Sequence, residues 1–170
     1  MPYPPHLLVP MREELTRLGV EELHTAEDVD ALFASLDGDD DATALLIVNS
    51  VCGCAAANAR PAIALSRQAP VQPDRYVTVF AGQDLDATAR ARQHLVGIPP
   101  SSPSIFLLKG GEPVLAVERR HIEGRTASAI AMDLVQAFNT HCEGEGPESP
   151  DAAAGPRQEA GFPGTFRSIL

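Results

Sequence analysis

The chain has 170 residues, 44% of them hydrophobic and 21% charged, with a formal net charge of −10. That length and balance fit one globular domain with room for a terminal appendage, and no apolar run is long enough to span a bilayer. The acidic excess weighs against nucleic acid or an anionic membrane as a partner, because both are polyanions and no Lys/Arg stripe offsets it.

The N-terminus, MPYPPHLLVPMREEL, lacks a basic segment ahead of its short apolar piece. No secretory leader is expected there, and the expected location is cytoplasmic. Residues 1–8, with three prolines, read as a loose lead-in. A short helix is expected from Pro10, with Met11, Leu15 and Leu18 on one face and Gly19 at its end. Thr25-Ala26-Glu27-Asp28 has the form of a capping box, opening a second helix that buries Val29, Leu32, Phe33 and Leu36 and stops at Gly38. The acidic run Asp37-Gly38-Asp39-Asp40-Asp41 reads as solvated surface.

The period then changes. Residues 44–48, ALLIV, are continuously apolar and short, as in a strand covered on both faces. An alanine-rich helix is expected after Cys54, with Pro61 kinking or restarting it. Residues 76–80, YVTVF, are a second strand. Asp84 or Asp86 is placed to cap a helix running through Ala89, Arg92 and Leu95 and ending near Gly97. Ser104-Ile105-Phe106-Leu107-Leu108 and Val114-Leu115-Ala116-Val117 flank Gly110-Gly111 as a β-hairpin. Thr126 is placed to cap a last helix carrying Ile130, Leu134 and Phe138 and ending near Cys142. Residues 143–170 shift to Gly, Pro, Ala, Glu and Ser without periodicity, as a disordered acidic tail does. The order α, α, βαβ, α, ββ, α is that of an α/β thioredoxin-like domain (βαβ-α-ββα core) with an N-terminal helical extension, over residues 1–142.

Two of the three cysteines fall in NSVCGC, directly after the first core strand. In a reducing compartment such a pair reads as redox-active or metal-binding. At a helix N-terminus the backbone N–H groups and the dipole favour a thiolate, so Cys52 is the expected nucleophile and Cys54 the resolving thiol. Closing so small a ring needs a tight bend, for which Gly53 is the suited residue. The alternative is a soft-metal (Cu or Zn) module built on the same pair. A closed zinc site needs further ligands, for which His141 and Cys142 are the obvious candidates. His121, beside Arg119 and Arg120, is placed in a cationic run that would stabilise a thiolate if it came close. Pro103, in PPSSPS before the hairpin, corresponds to the cis-proline of thioredoxin-like domains, with Ser102 presenting its backbone to an extended thiol substrate.

VNSVCGCAAANARPA, VFAGQDLDATARAR, IPPSSPSIFLLKGG and RRHIEGR, preceded by LVPMREELTRLGVEEL, closely resemble the bacilliredoxins, which are also catalogued as disulfide isomerases. The resemblance spans about residues 7–142 and leaves the tail without a family role. It implies removal of bacillithiol, a low-molecular-weight thiol, from S-bacillithiolated cytosolic proteins, with weak disulfide isomerase activity besides. It further implies attack by Cys52 and resolution by Cys54, while Gly53, Ser102 and Pro103 are the expected substrate-binding residues. No bound cofactor or metal is implied: bacillithiol is the redox co-substrate, and bacillithiol with a flavin-dependent disulfide reductase regenerates the dithiol.

Overall fold

The computed structural model describes residues 3–145. In chain order the first elements are α1 (Pro5–Thr16), β1 (Glu21–Glu22), α2 (Ala26–Asp37) and β2 (Thr43–Asn49). A single π-helical turn (Ala55–Ala59) leads into α3 (Arg60–Ser66), then β3 (Val71–Gln72), β4 (Arg75–Phe80) and α4 (Leu85–His94). The hairpin β5 (Ser104–Lys109) and β6 (Glu112–Val117) is followed by α5 (Arg119–Ile122), α6 (Ala127–His141) and β7 (Gly144–Glu145).

The apolar ALLIV run lies in β2, every residue of which is buried. β2 is the middle of a five-stranded sheet ordered β1-β4-β2-β5-β6. It pairs parallel to β4 and antiparallel to β5. Because side chains alternate along a strand, β2 feeds two cores. Leu45 and Ile47 pack with Leu15, Ile63, Leu134 and Phe138 beneath α1, α3 and α6. Ala44, Leu46 and Val48 pack with Val29, Leu32, Phe33, Ala87 and Ala91 beneath α2 and α4. A parallel β2–α3–β4 unit, a crossover through α4 and an antiparallel hairpin closed by α6 make this the expected α/β thioredoxin-like fold. The hairpin turns through Gly110 and Gly111 at φ +58° and +83°, a region that favours glycine.

Several boundaries differ from the expectation. α1 begins at Pro5, five residues earlier than Pro10. Proline at the first helical turn forfeits no bond, and Pro10 lies on the exposed side, where the carbonyl it leaves unpaired can meet water. Asp84 does precede α4, but its carboxylate makes no cap. It accepts two hydrogen bonds from Arg12, each 3.0 Å, and one from the Phe80 N–H at 3.3 Å. The buried face of α4 is Ala87, Thr88 and Ala91, with Ala89 exposed. The Thr25–Asp28 capping box forms as read, and Pro61 lies in the first turn of α3 just after the π-helical turn. Within the segment read as a tail, Gly144 and Glu145 pair with Gln72 and Val71. A Cβ at Gly144 would meet the Gln72 carbonyl at 2.5 Å, so glycine permits that approach. Residues 146–170 of the expected tail lie outside the described residues.

Phe138 is fully buried and meets Tyr76 edge-on, with ring centroids 6.3 Å apart. Phe138→Ala is expected to cost about 3–5 kcal/mol of unfolding free energy in urea titration. An unchanged denaturation midpoint would show that α6 does not pack on this core.

Candidate active site

Four chain segments meet at one end of the sheet. β2 and β4 run parallel and end in register at Asn49 and Phe80, and the Ala81 N–H donates to the Asn49 carbonyl at 2.9 Å. β5, antiparallel to β2, starts at that end, and β6 finishes there, with Val117 opposite Ile105. Ser50-Val51-Cys52, Ala81-Gly82, Ser102 and Arg119 therefore border one open cleft of about 330 Å³. In an α/β sheet the carboxyl ends of parallel strands are where such a crevice is expected.

Cys52 and Cys54 are both half-buried free thiols. Burial alone would push the Cys52 thiol up. The Ser50 hydroxyl, the Ala55 N–H and the Cys54 thiol and N–H outweigh that and hold it below the usual thiol value. Ser50 Oγ donates to Cys52 Sγ at 3.2 Å and accepts from the Cys52 N–H at 3.4 Å. Cys54 moves the opposite way. Burial, then the hydrogen bond and charge of Cys52, then the charge of Glu123 push it up, with Arg119 opposing. Cys54 Sγ donates to Glu123 Oε1 at 3.7 Å, and Arg119 Nε donates to that same oxygen at 2.7 Å. Arg119 in turn holds the Glu123 carboxyl below its usual value. The pair is thus divided into a thiolate-favouring Cys52 and a proton-retaining Cys54.

The residues expected from the sequence fall as follows. Cys52 and Ser102 line the cleft and the Ser102–Pro103 peptide is cis, whereas Cys54 and Pro103 are not among the cleft walls. The Ser102 carbonyl accepts from Arg119 Nη1 at 3.4 Å. Gly53 has no left-handed φ, and a Cβ there would touch nothing within 4 Å, so the dithiol form does not require glycine. Helical backbone begins at Gly53. Such geometry sets Cα atoms two residues apart about 5.4 Å from one another, within disulfide range, and the Cys54 thiol is hydrogen-bonded to Cys52. The conformational freedom of glycine is expected to be called on only when the disulfide ring closes.

The helix end does not act alone on Cys52, because the largest lowering influence is Ser50. A hydroxyl two residues ahead of the nucleophile in NSVC was the signal for it. Of the cationic run only Arg119 reaches the cleft. Arg120 pairs with Glu118, His121 Nδ1 accepts from the Glu118 N–H, and both Arg120 and His121 border a different hollow with Leu115 and Asp133. His141 and Cys142 lie at the opposite end of β2, where Cys142 neighbours Thr43, and are remote from Cys52. Among the described residues there is no group of three or more His, Cys, Asp or Glu able to hold a metal ion, and no helix is long and apolar enough to cross a membrane.

An activated thiolate beside a protonated thiol on this fold defines a thiol–disulfide oxidoreductase. Sequence comparison agrees. The model of the disulphide isomerase family matches residues 3–142. The chain is similar to a bacilliredoxin of Salinibacter ruber, at 56% identity over 99% of each chain. It is also similar to a bacilliredoxin of Bacillus cereus, at 50% identity over 82% of this chain and 95% of that one. The first alignment takes in the C-terminal segment, and the second is largely confined to the domain. Among solved structures, it resembles the thioredoxin of Fasciola hepatica at 16% identity and a TM-score of 0.48, over 72% of this chain and 99% of that one. The chain belongs to the bacilliredoxin, or disulphide isomerase, family.

Ser50→Ala removes the leading stabiliser of the Cys52 thiolate. The variant is expected to be alkylated at Cys52 more slowly than wild type at neutral pH, with the difference vanishing at alkaline pH where both are ionised. Equal rates at neutral pH would remove Ser50 from the site. Gly53→Ala is expected to keep that alkylation rate while raising the reduction potential of the pair, measured against a glutathione buffer, because alanine is less able than glycine to take up the tight bend of the disulfide ring.

Proposed function

We propose that this protein removes bacillithiol from S-bacillithiolated proteins in the cytoplasm. The observation that carries the reading is the opposite surroundings of the two thiols: Cys52 Sγ accepts from Ser50 Oγ at 3.2 Å, and Cys54 Sγ donates to Glu123 Oε1 at 3.7 Å. An exchange catalyst needs that ordering, because the thiolate is the nucleophile and a second thiolate alongside it would be repelled.

Cys52 thiolate attacks the bacillithiol sulfur of the mixed disulfide. A bond forms from Cys52 Sγ to that sulfur, and the client cysteine leaves as a thiolate that takes a proton from solvent. Cys54 then loses its proton to solvent, attacks Cys52 Sγ and expels bacillithiol thiolate. The protein is left with a Cys52–Cys54 disulfide, two electrons short of the starting dithiol. Two bacillithiols return those electrons by successive exchange, which restores the dithiol and leaves bacillithiol disulfide, and a flavin-dependent disulfide reductase reduces that product. Gly53 supplies the bend for ring closure, and the extended substrate lies against Ser102, whose peptide bond to Pro103 is cis. Weak disulfide isomerase activity follows from the same first step on a protein disulfide. No resident cofactor is needed for any step. The relatives named bacilliredoxin support the choice of thiol.

Intact mass spectrometry on a bacillithiolated client tests this. Cys52→Ser is expected to abolish client release, and Cys54→Ser to release one client per chain and then retain a single bacillithiol adduct on Cys52. Full turnover without Cys52, or an adduct on Cys54 in the wild-type protein, would overturn the assignment.

A further inference from the structure

The cleft beside Cys52 holds a positive charge that the exchange chemistry leaves unused. Arg92, from the last turn of α4, lines this cleft together with Ser50, Cys52, Ser102 and Arg119. The same side chain borders a cavity of about 10 Å³ under the 98–103 loop, walled by Val48, Leu95, Ile98 and Phe106. That space takes one water at most and its remaining walls include Ser101 and Ser104 but no carboxylate, so it holds no counter-ion for Arg92. Arg92 Nε is buried and has no hydrogen-bond partner among the described residues. Every other arginine among them donates to a carboxylate or a carbonyl. Arg17 and Arg67 bond backbone carbonyls, and the rest hold carboxylates. In a chain of net charge −10, one guanidinium beside the nucleophile is left open.

A desolvated donor without a partner is unfavourable, and a guanidinium matches a carboxylate in both charge and fork geometry. We infer that Arg92 binds a carboxylate carried by the small-thiol half of the mixed disulfide and so orients that half against Cys52 Sγ. The inference rests on the proposed course, in which the small thiol becomes bonded to Cys52 and occupies this cleft while the client departs. Arg119, already neutralised by Glu123 at 2.7 Å, flanks the site without supplying the open charge.

The test uses the full chain and one client protein thiolated in three ways: with bacillithiol, with 3-mercaptopropionate, and with its neutral isostere 3-mercaptopropionamide. Wild type is expected to release the carboxylate-bearing thiol with a kcat/KM roughly tenfold above that for the amide, as a charge-assisted hydrogen bond provides. Arg92→Gln should bring that ratio close to one, and Arg92→Lys should restore part of it. A wild-type ratio near one overturns the inference whatever the variants do, and so does an Arg92→Gln ratio equal to wild type. If bacillithiol is released without any charge preference, the proposed function holds and the role of Arg92 falls. If the preference and its dependence on Arg92 appear while bacillithiol is not released, the reverse is true.

Discussion

A half-hidden ion pair behind the cleft fastens the end of β2. Arg60, at the start of α3, is 4% exposed and donates Nε to Glu14 of α1 at 2.6 Å. Its Nη1 donates to Asn49 Oδ1 and to the Ser50 carbonyl, each at 3.1 Å, while the Ser50 N–H donates to the same Asn49 oxygen at 2.9 Å. A charge this deep is tolerable only if it is answered on every side, because an orphaned buried ion costs several kcal/mol. The positions of α1, α3 and the β2 terminus are therefore mutually dependent. What that network holds is the backbone of Ser50, and the direction of the Ser50 hydroxyl follows from it. The activated sulfur is thus a product of packing two layers away.

This arrangement explains how an acidic protein maintains a thiolate. Most of its arginines are neutralised by carboxylates at the surface, and the sulfur is stabilised by short-range donors, a hydroxyl and backbone N–H groups. Donors of that kind are insensitive to ionic strength, whereas a field summed over distant charges is screened within about 10 Å at ordinary salt. Glu123 has the opposite task at Cys54. Its carboxylate discourages a negative charge on that sulfur.

The sequence made the framework legible wherever pattern and burial coincide. The unbroken apolar run of β2, the capping box at Thr25, the Gly110-Gly111 turn and the strand-to-helix placement of Cys52 all follow from local chemistry. Short elements did not announce themselves. Glu21-Glu22 has no strand pattern and joins the sheet through backbone bonds to β4, its charges met by Arg75 and Arg12. β3 and β7 hold only two residues each, so no periodicity could reveal them. Proline density in the first ten residues hid a helix, because proline opposes an interior turn but not a first one. The side chains that tune the site were hidden for a different reason. Ser50, Arg119 and Arg92 come from three separate segments, and only the sheet topology brings them to one cleft.

Cys142 sits at the other end of the molecule, 8% exposed, its thiol pushed up by burial against the end of β2. A covalent reagent meeting the native protein therefore titrates two sulfurs and not three, and the third equivalent waits for α6 to lift away. The oxidation state of the chain can be read directly from that stoichiometry, with the silent cysteine left in place as an internal gauge of whether the fold is intact.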